Sequence, residues 1–493
     1  MKKKTKTIRK ISDLKPRLIW KFFEDILQIP RASKKEEKIL AYIENFAIKN
    51  KLDWKRDKIG NYLINKPAFK GYENRHTVVL QSHVDMVCEK NESSHHNFTK
   101  DPIKAYISGG WVKAEGTTLG ADNGIGVAAQ MAILADKNLE HGPISCLFTV
   151  DEESGLTGAF NLGEDLINGD ILINLDSEDE GELFIGCAGG MDTIITFPYT
   201  TKHIKDDCVA FHIKIKGLTG GHSGDDINKG RGNANKILAR ILWNVTQKFK
   251  TGLFEFEGGN LRNAIPRESR ASLLIKKSKR KEFIVFLKGF IELLKTEFFK
   301  NEPHLLIDYS EVPLPRMVMT GKSAKKLINT LHSCPNGVVE MSQDISGLVK
   351  TSSNLASVKM LGENKIEIVT SQRSSVETMK QNVSDRINSL FQLAKCRIIQ
   401  TGSYPGWSPN TNSLILKITE QCYKDLFGKP PRVKAIHAGL ECGLFLKKYP
   451  NLDMISFGPT IKGAHSPDER LDIDSVRKFW DLLLGTLKSI PTK

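Results

Sequence analysis

Three apolar stretches, Thr77-Val78-Val79-Leu80, Ile144 to Val150 and Ile171 to Leu175, constrain this chain most, because each runs into an acid or a histidine. Short continuous apolar runs read as strands buried on both faces. The intervening segments carry apolar residues at helical spacing, and together they predict an α/β fold with a largely parallel sheet. Ligands of such sheets sit beyond the carboxyl ends of the strands. His83 and Asp85, Glu152 and Glu153, and Asp176 follow the three stretches at that end, and Asp122 and His465 also lie just past apolar runs. Carboxylate oxygens mixed with imidazole nitrogens suit a borderline divalent cation such as zinc. Taken singly, an acid at a strand end is more often a cap or a solvated loop residue.

A chain of 493 residues, 40% of them hydrophobic, is long enough for a large core and for more than one domain. It holds no uninterrupted apolar run of about 18 or more residues, and the lysine-rich start, Met1 to Lys10, leads into Leu18-Ile19-Trp20-Lys21-Phe22-Phe23-Glu24, whose charges spoil a secretory segment. The expectation is a cytoplasmic protein without a membrane partner. The eight cysteines, at 88, 146, 187, 208, 334, 396, 422 and 442, stand singly. With no Cys-x-x-Cys pair they read as reduced thiols rather than a zinc ribbon, a redox pair or a disulfide framework. The formal charge of +15 invites a nucleic-acid partner. The basic residues are nevertheless dispersed and often beside acids, as in Lys34-Lys35-Glu36-Glu37-Lys38, which describes solvated helix faces, and no nucleic-acid motif accompanies them. No nucleic-acid binding is expected, and Lys2 to Lys4 read as a frayed tail.

Ser33 and Glu36 have capping-box spacing, and Ile39, Leu40, Ile43, Phe46 and Ala47 share one face of the helix that follows. Helix and strand alternate to about residue 190, where Gly186-Cys187-Ala188-Gly189-Gly190 interrupts. From Cys208 the strands alternate in polarity, as in Val209 to Ile215, with helices at 231–248 and 281–299. A similar pattern returns at 364–400, so the inserted region reads as two related α+β halves. A turn near Tyr404-Pro405-Gly406-Trp407 and a helix at 412–427 resume the first pattern. The expected division is a catalytic domain in two segments, 1–190 and 406–493, around an inserted domain at 191–405. His465 meets the early acids only if the C-terminal segment completes the first domain.

In His83-Val84-Asp85 the two side chains fall on one face of an extended segment, so Asp85 can hold one ring nitrogen while the other faces a metal. In Gly120-Ala121-Asp122-Asn123-Gly124-Ile125-Gly126 the glycines permit a sharp turn that aims one carboxylate inward; alone, the string reads more readily as an ordinary Asp-Asn-Gly turn. Asp151-Glu152-Glu153 crowds like charges, which costs free energy unless cations compensate or a proton is retained.

These segments, with Asn174 to Glu178 and Phe457 to Arg470, resemble in order the di-zinc peptidase family that includes aminoacylases, carnosinases and glutamate carboxypeptidases. Four longer strings, Gly217 to Gly224, Arg262 to Glu268, Ile436 to Gly443 and the His465 segment, are most similar to its dipeptidase branch. The resemblance implies a three-layer catalytic domain with a mainly parallel sheet, interrupted by an α+β lid. It also implies two Zn2+ ions per active site, Asp122 bridging them, His83 and Asp176 completing one ion's ligands, and Glu153 and His465 the other's. Asp85 would support His83, and Glu152 would be the general base. In the lid, His222 would stabilise the oxyanion, and Asn263, Arg373 and His437 would contact substrate. The implied reaction is hydrolysis of unblocked dipeptides, the Xaa-His class favoured, by a monomer or by a homodimer joined through the lid. N-acyl amino acid deacylation and tripeptide cleavage remain alternatives of the same architecture, and a basic binding protein with a vestigial site is an alternative of another class. Asp225-Asp226-Ile227-Asn228 departs from the glycine and histidine that follow His-Ser-Gly in similar chains, and Arg373, within Ser371 to Ser375, reads equally as a surface salt-bridge residue. His95, His96 and His212 read as ordinary surface or strand residues.

Overall fold

A computed structural model describes residues 10–204 and 207–493; the basic stretch Lys2 to Lys4 lies outside the described residues. The chain forms two compact units. The first comprises residues up to Gly186 together with Pro409–Ala435 and Glu441–Lys493, and the second comprises Cys187–Ser408 with Ile436–Leu440.

The first unit is built on an eight-stranded sheet. Its order is Asp53–Arg56, Tyr62–Lys66, Ile144–Thr149, Val78–His83, Ile171–Asn174, Asp453–Ser456, Glu182–Cys187 and Arg432–Ile436. The four middle strands run parallel, with Val78–His83 between Ile144–Thr149 and Ile171–Asn174, and Asp453–Ser456 beyond the latter. Every residue of the first three of these is buried, as expected for strands covered on both faces. The helix Ala121–Ala135 packs on Val78–His83, and Arg17–Leu27 packs on that helix. Register then decides where the site lies. His83 pairs with Thr149 and Gln81 with Asn174, so the chain leaves all three strands at one edge carrying His83, Glu152, Glu153 and Asp176. Ser456 pairs with Asn174, which delivers the loop bearing His465 to that edge.

The Ser33–Glu36 spacing does not form a capping box. The helix begins at Glu37, Ser33 Oγ donates to Asp85 Oδ2 at 2.8 Å, and Glu36 Oε1 accepts the N–H groups of Lys34 and Asp151. Buried Asp85 and the Asp151 amide compete successfully for these side chains because helix starts can hydrogen-bond to water. The apolar face stands as read, with Ile39, Leu40, Ile43 and Ala47 buried.

The second unit is built on a nine-stranded antiparallel sheet with helices packed over its main core. One group follows the chain order Cys208–Lys216, Ala234–Lys248, Thr251–Gly258, Ser269–Lys276, Arg280–Phe298, Leu306–Val312. A second uses Gly189–Pro198, Gly321–Ser333, Val349–Leu361, Lys365–Ser374, Glu377–Leu393, Arg397–Tyr404. Numbering the strands of each group along the chain, both have sheet order four, one, three, two, and they meet where Gly258 faces Val358. The second group thus takes its first strand from before the first group, far ahead of the 364–400 pattern visible in the sequence. A short antiparallel ladder joins Thr201–His203 to Met317–Met319. Among the described residues no helix is long and apolar enough to cross a membrane.

Candidate active site

At the carboxyl edge of the first unit's sheet, His83 Nε2 lies 3.0 Å from Asp122 Oδ1 and 3.3 Å from Asp176 Oδ1. His465 Nε2 lies 3.2 Å from Asp122 Oδ2 and 3.0 Å from Glu153 Oε2. Asp122 therefore presents one oxygen to each histidine. Donors about 3.3 Å apart are what a tetrahedral ion with bonds of roughly 2.0–2.1 Å requires. Glu153 Oε1 is buried with no hydrogen-bond partner among the described residues, and ligand atoms of His83, Asp122 and Glu153 all lie within 4.8 Å of one another. This oxygen and nitrogen donor set fits a borderline divalent cation.

Asp85 is fully buried and serves several neighbours at once. Its Oδ1 lies 3.2 Å from His83 Nδ1 and accepts the Glu152 N–H at 3.0 Å, while Oδ2 accepts from Ser33 and from the Glu153 N–H at 3.2 Å. One carboxylate thus fixes both the imidazole and the loop carrying two candidate acids. Burial opposes its ionisation, yet His83, Ser33 and the Glu152 amide hold its pKa below the usual value.

The electrostatics show an excess of negative charge. Burial pushes Glu152 well above the ordinary carboxylate range, and Asp176, Glu441 and Glu153 add to this against the pull of His83. Burial lifts Asp176 to about 6 against the pull of His83, and lifts Glu178 to about 8 with Asp122 and Asp176 adding. Hydrogen bonds to Asp122 and Glu153 raise His465 to about 11. Burial disfavours the Asp122 charge, but His465 and His83 hold that carboxylate below the usual range. Crowded carboxylates that pull protons onto imidazoles are the arrangement a bound cation relieves.

Three residues of this unit escaped sequence reasoning. Arg31, buried, donates to the carbonyls of Val84 at 2.9 Å, Asp85 at 2.7 Å and Gly120. Glu469, buried, accepts the backbone N–H groups of Leu119, Gly120, Ala121 and Asp122. Glu441, buried, accepts from Gln81 Nε2 at 2.6 Å and Thr149 Oγ1 at 2.9 Å, and burial, with Asp176 and Asp85 adding, raises its pKa to about 8 against the pull of His83. Glu469 and Glu441 stand inside strings singled out above, but buried acids whose partners are backbone amides or distant strands leave no spacing to read.

The second unit gathers the other candidates. His222 lies on the two-residue strand Gly221–His222, opposite Ala264, and Ser223 N–H donates to the carbonyl of Asn263. The Asp225 N–H donates to His222 Nδ1 at 3.3 Å, and Asp225 Oδ2 lies 3.4 Å from the same nitrogen, so Asp225 engages this ring through Nδ1. Asp226 accepts the His222 N–H at 2.8 Å and pairs with Lys229 and Arg231, so the departing pair of aspartates braces this loop. Arg373 is not a surface salt-bridge residue. It is 8% exposed and donates to Tyr404 Oη at 3.0 Å, because its strand lies mid-sheet. Buried His437 meets Ser352 Oγ at 2.7 Å, and burial with Arg373 nearby lowers its pKa to about 3, keeping the ring neutral. The His437 carbonyl comes within 2.2 Å of where a Cβ on Gly224 would stand, so only glycine fits there. Asn263 is exposed. His212 pairs with Ser272 and Glu255 at the sheet, away from these groups in sequence and partners.

Fold and site together define a metal-dependent peptidase, and the chain belongs to Peptidase family M20/M25/M40, which it matches over residues 79–489. It is 44% identical to the cytosol non-specific dipeptidase of Escherichia coli (strain K12) over 483 residues, 98% of this chain and 99% of that one. Among solved structures it is similar to aminoacylhistidine dipeptidase from Vibrio alginolyticus, at 46% identity and a TM-score of 0.93, covering 98% of this chain and 99% of that one. A tripeptidase from Staphylococcus aureus shares the fold at 16% identity and a TM-score of 0.56, covering 97% and 99% of the two chains.

Proposed function

We propose that this protein is a zinc-dependent dipeptidase acting on unblocked dipeptides in the cytosol. The observation that carries the reading is Asp122 dividing its two oxygens between His83 and His465, each histidine with its own second carboxylate, Asp176 or Glu153. His83, Asp122 and Asp176 would hold one zinc ion, and Asp122, Glu153 and His465 the other. When bound, such ions acidify the attacking water and polarise the scissile carbonyl.

The chain's own groups supply the remaining chemistry. Glu152 sits on the loop that Asp85 fixes, and takes a proton from the water as its oxygen bonds to the carbonyl carbon. It returns that proton to the leaving nitrogen as the C–N bond breaks. Asp85 keeps the His83 ring aimed and the Glu152 amide in place. In the second unit, Arg373 offers a planar cation for the free carboxylate of a dipeptide, with His437 and Asn263 as further contacts, and His222 is the donor for the developing oxyanion. Eight cysteines with no Cys-x-x-Cys spacing suit a reducing compartment, in keeping with the cytosolic relative.

The names of the two similar dipeptidases bracket the breadth of specificity, one non-specific and one aminoacylhistidine. We propose Xaa-His dipeptides as the favoured class. The test is zinc analysis of the purified protein with a panel of Xaa-His and other dipeptides, tripeptides and N-acyl amino acids. Release of amino acids from dipeptides, fastest from Xaa-His and abolished by a chelator, supports the reading. Preference for blocked or longer substrates replaces it with deacylase or tripeptidase activity, and chelator-resistant turnover overturns the metal mechanism.

A further inference from the structure

Asp122 can serve two ions only if its segment is held still, and that segment is gripped from both sides by residues outside the ligand set. Glu469 uses both carboxylate oxygens: Oε2 accepts Leu119 N–H at 2.6 Å and Gly120 N–H at 2.8 Å, and Oε1 accepts Ala121 N–H at 2.7 Å and Asp122 N–H at 3.3 Å. Arg31 takes the Gly120 carbonyl from the other side and ties it to the carbonyls of Val84 and Asp85, on the segment that carries His83. The fit is tight. A Cβ on Gly120 would lie 2.5 Å from Arg31 Nη2, and one on Gly124 2.6 Å from the same atom. Gly120 has φ +70, so a side chain there would also strain the backbone.

Glu469 stands four residues past His465 and reaches back across the sequence to the Asp122 amides. It therefore pins the loop of one histidine to the shared carboxylate, while Arg31 pins the loop of the other. A carboxylate buried at 2% exposure and accepting four N–H groups is costly to disturb, and Arg31 answers its charge.

We propose that Arg31 and Glu469 form a clamp that positions Asp122, so that loosening it weakens the retention of both metal ions together rather than of one. The clamp rests on the two-zinc reading above. Glu469→Gln places an NH2 group against backbone N–H donors where an oxygen now accepts them. Arg31→Lys removes the fork that joins three carbonyls.

The experiment titrates full-length protein with zinc against a chromophoric chelator, and records the melting temperature with excess chelator as the measure of the fold. Glu469→Gln should lower the affinity for both ions by about 10–100-fold, the usual effect of groups that orient metal ligands. Asp176→Asn, which removes a ligand of one ion, should chiefly affect that ion. Glu469→Asp, which keeps the charge but is one methylene shorter, should fall between Gln and the wild type. Unchanged affinity in Glu469→Gln, or loss of a single ion, overturns the clamp; should that variant fail to melt cooperatively, Arg31→Lys decides by the same criterion. A wild-type chain that binds fewer than two zinc ions refutes the two-zinc reading, and the clamp is then judged on whether Glu469→Gln weakens the ion that remains.

Discussion

The two oxygens of Asp122 face unlike neighbourhoods. On one side His83 is 1% exposed, sits at the end of a central strand and has Asp85 against its second nitrogen. On the other, His465 is 55% exposed, lies in a loop with a backbone φ of 62, and meets Glu153, whose other oxygen has no hydrogen-bond partner among the described residues. Equivalent donors are thus held by different means. The buried side inherits its geometry from strand register, whereas the exposed side depends on a loop docked by contacts distant in sequence.

The largest expected effect leaves that comparison intact. Glu152→Ala should keep metal on both sides and lower kcat by about 10²–10⁴-fold, since it removes a proton carrier and no ligand. Metal analysis alongside turnover checks this, and loss of an ion would reassign Glu152. Next, Asp85→Ala should reduce metal affinity or activity by about 10–100-fold and weaken the His83 side first, although the Glu152 and Glu153 amides lose an acceptor as well. If His465→Ala costs the His83-side ion instead, the comparison fails.

A smaller effect concerns exchange. On the proposed two-zinc reading, chelator should strip the metal in two phases, and His465→Ala should abolish the faster one, because the exposed side of the site opens more easily. A single phase in the wild type would mean that the two sides are equally held. The smallest effect is one of stability. Burial raises Glu441 to about 8, above its unfolded value, so the fold keeps a proton that the unfolded chain releases. Stability from this group is present at low pH and is lost as pH rises from about 4.5 toward 8. Chelator-treated Glu441→Gln should therefore lose less stability across that window than the wild type, as read by denaturant midpoints. An equal slope would remove Glu441 as a contributor.

The part of the site that follows directly from the central strands was the more legible in the sequence. Apolar stretches end in His83, Glu152, Glu153 and Asp176, and parallel register carries local pattern directly into spatial proximity. Ser33 shows how spacing misleads: its capping-box position is satisfied on paper, but a buried carboxylate elsewhere in the fold is the stronger partner. Arg31 and Glu469 were invisible for a related reason, since they bind backbone groups, which every residue offers alike. The interleaving of the second sheet was hidden because Gly189–Pro198 pairs with a strand in the distant part of the chain.

That interleaving also bears on how the chain is made. Strand Gly189–Pro198 finds Lys365–Ser374 on one side and Arg397–Tyr404 on the other. A ribosome adding about 5–20 residues per second takes on the order of 10–30 s to deliver the first of these after the strand itself has emerged. During that interval a strand rich in isoleucine and threonine waits with both edges open, a template for wrong pairing. The intervening group, Cys208 to Val312, contains all four of its own strands and can fold meanwhile, so the nested order sets a nascent-chain hazard beside a ready-made scaffold.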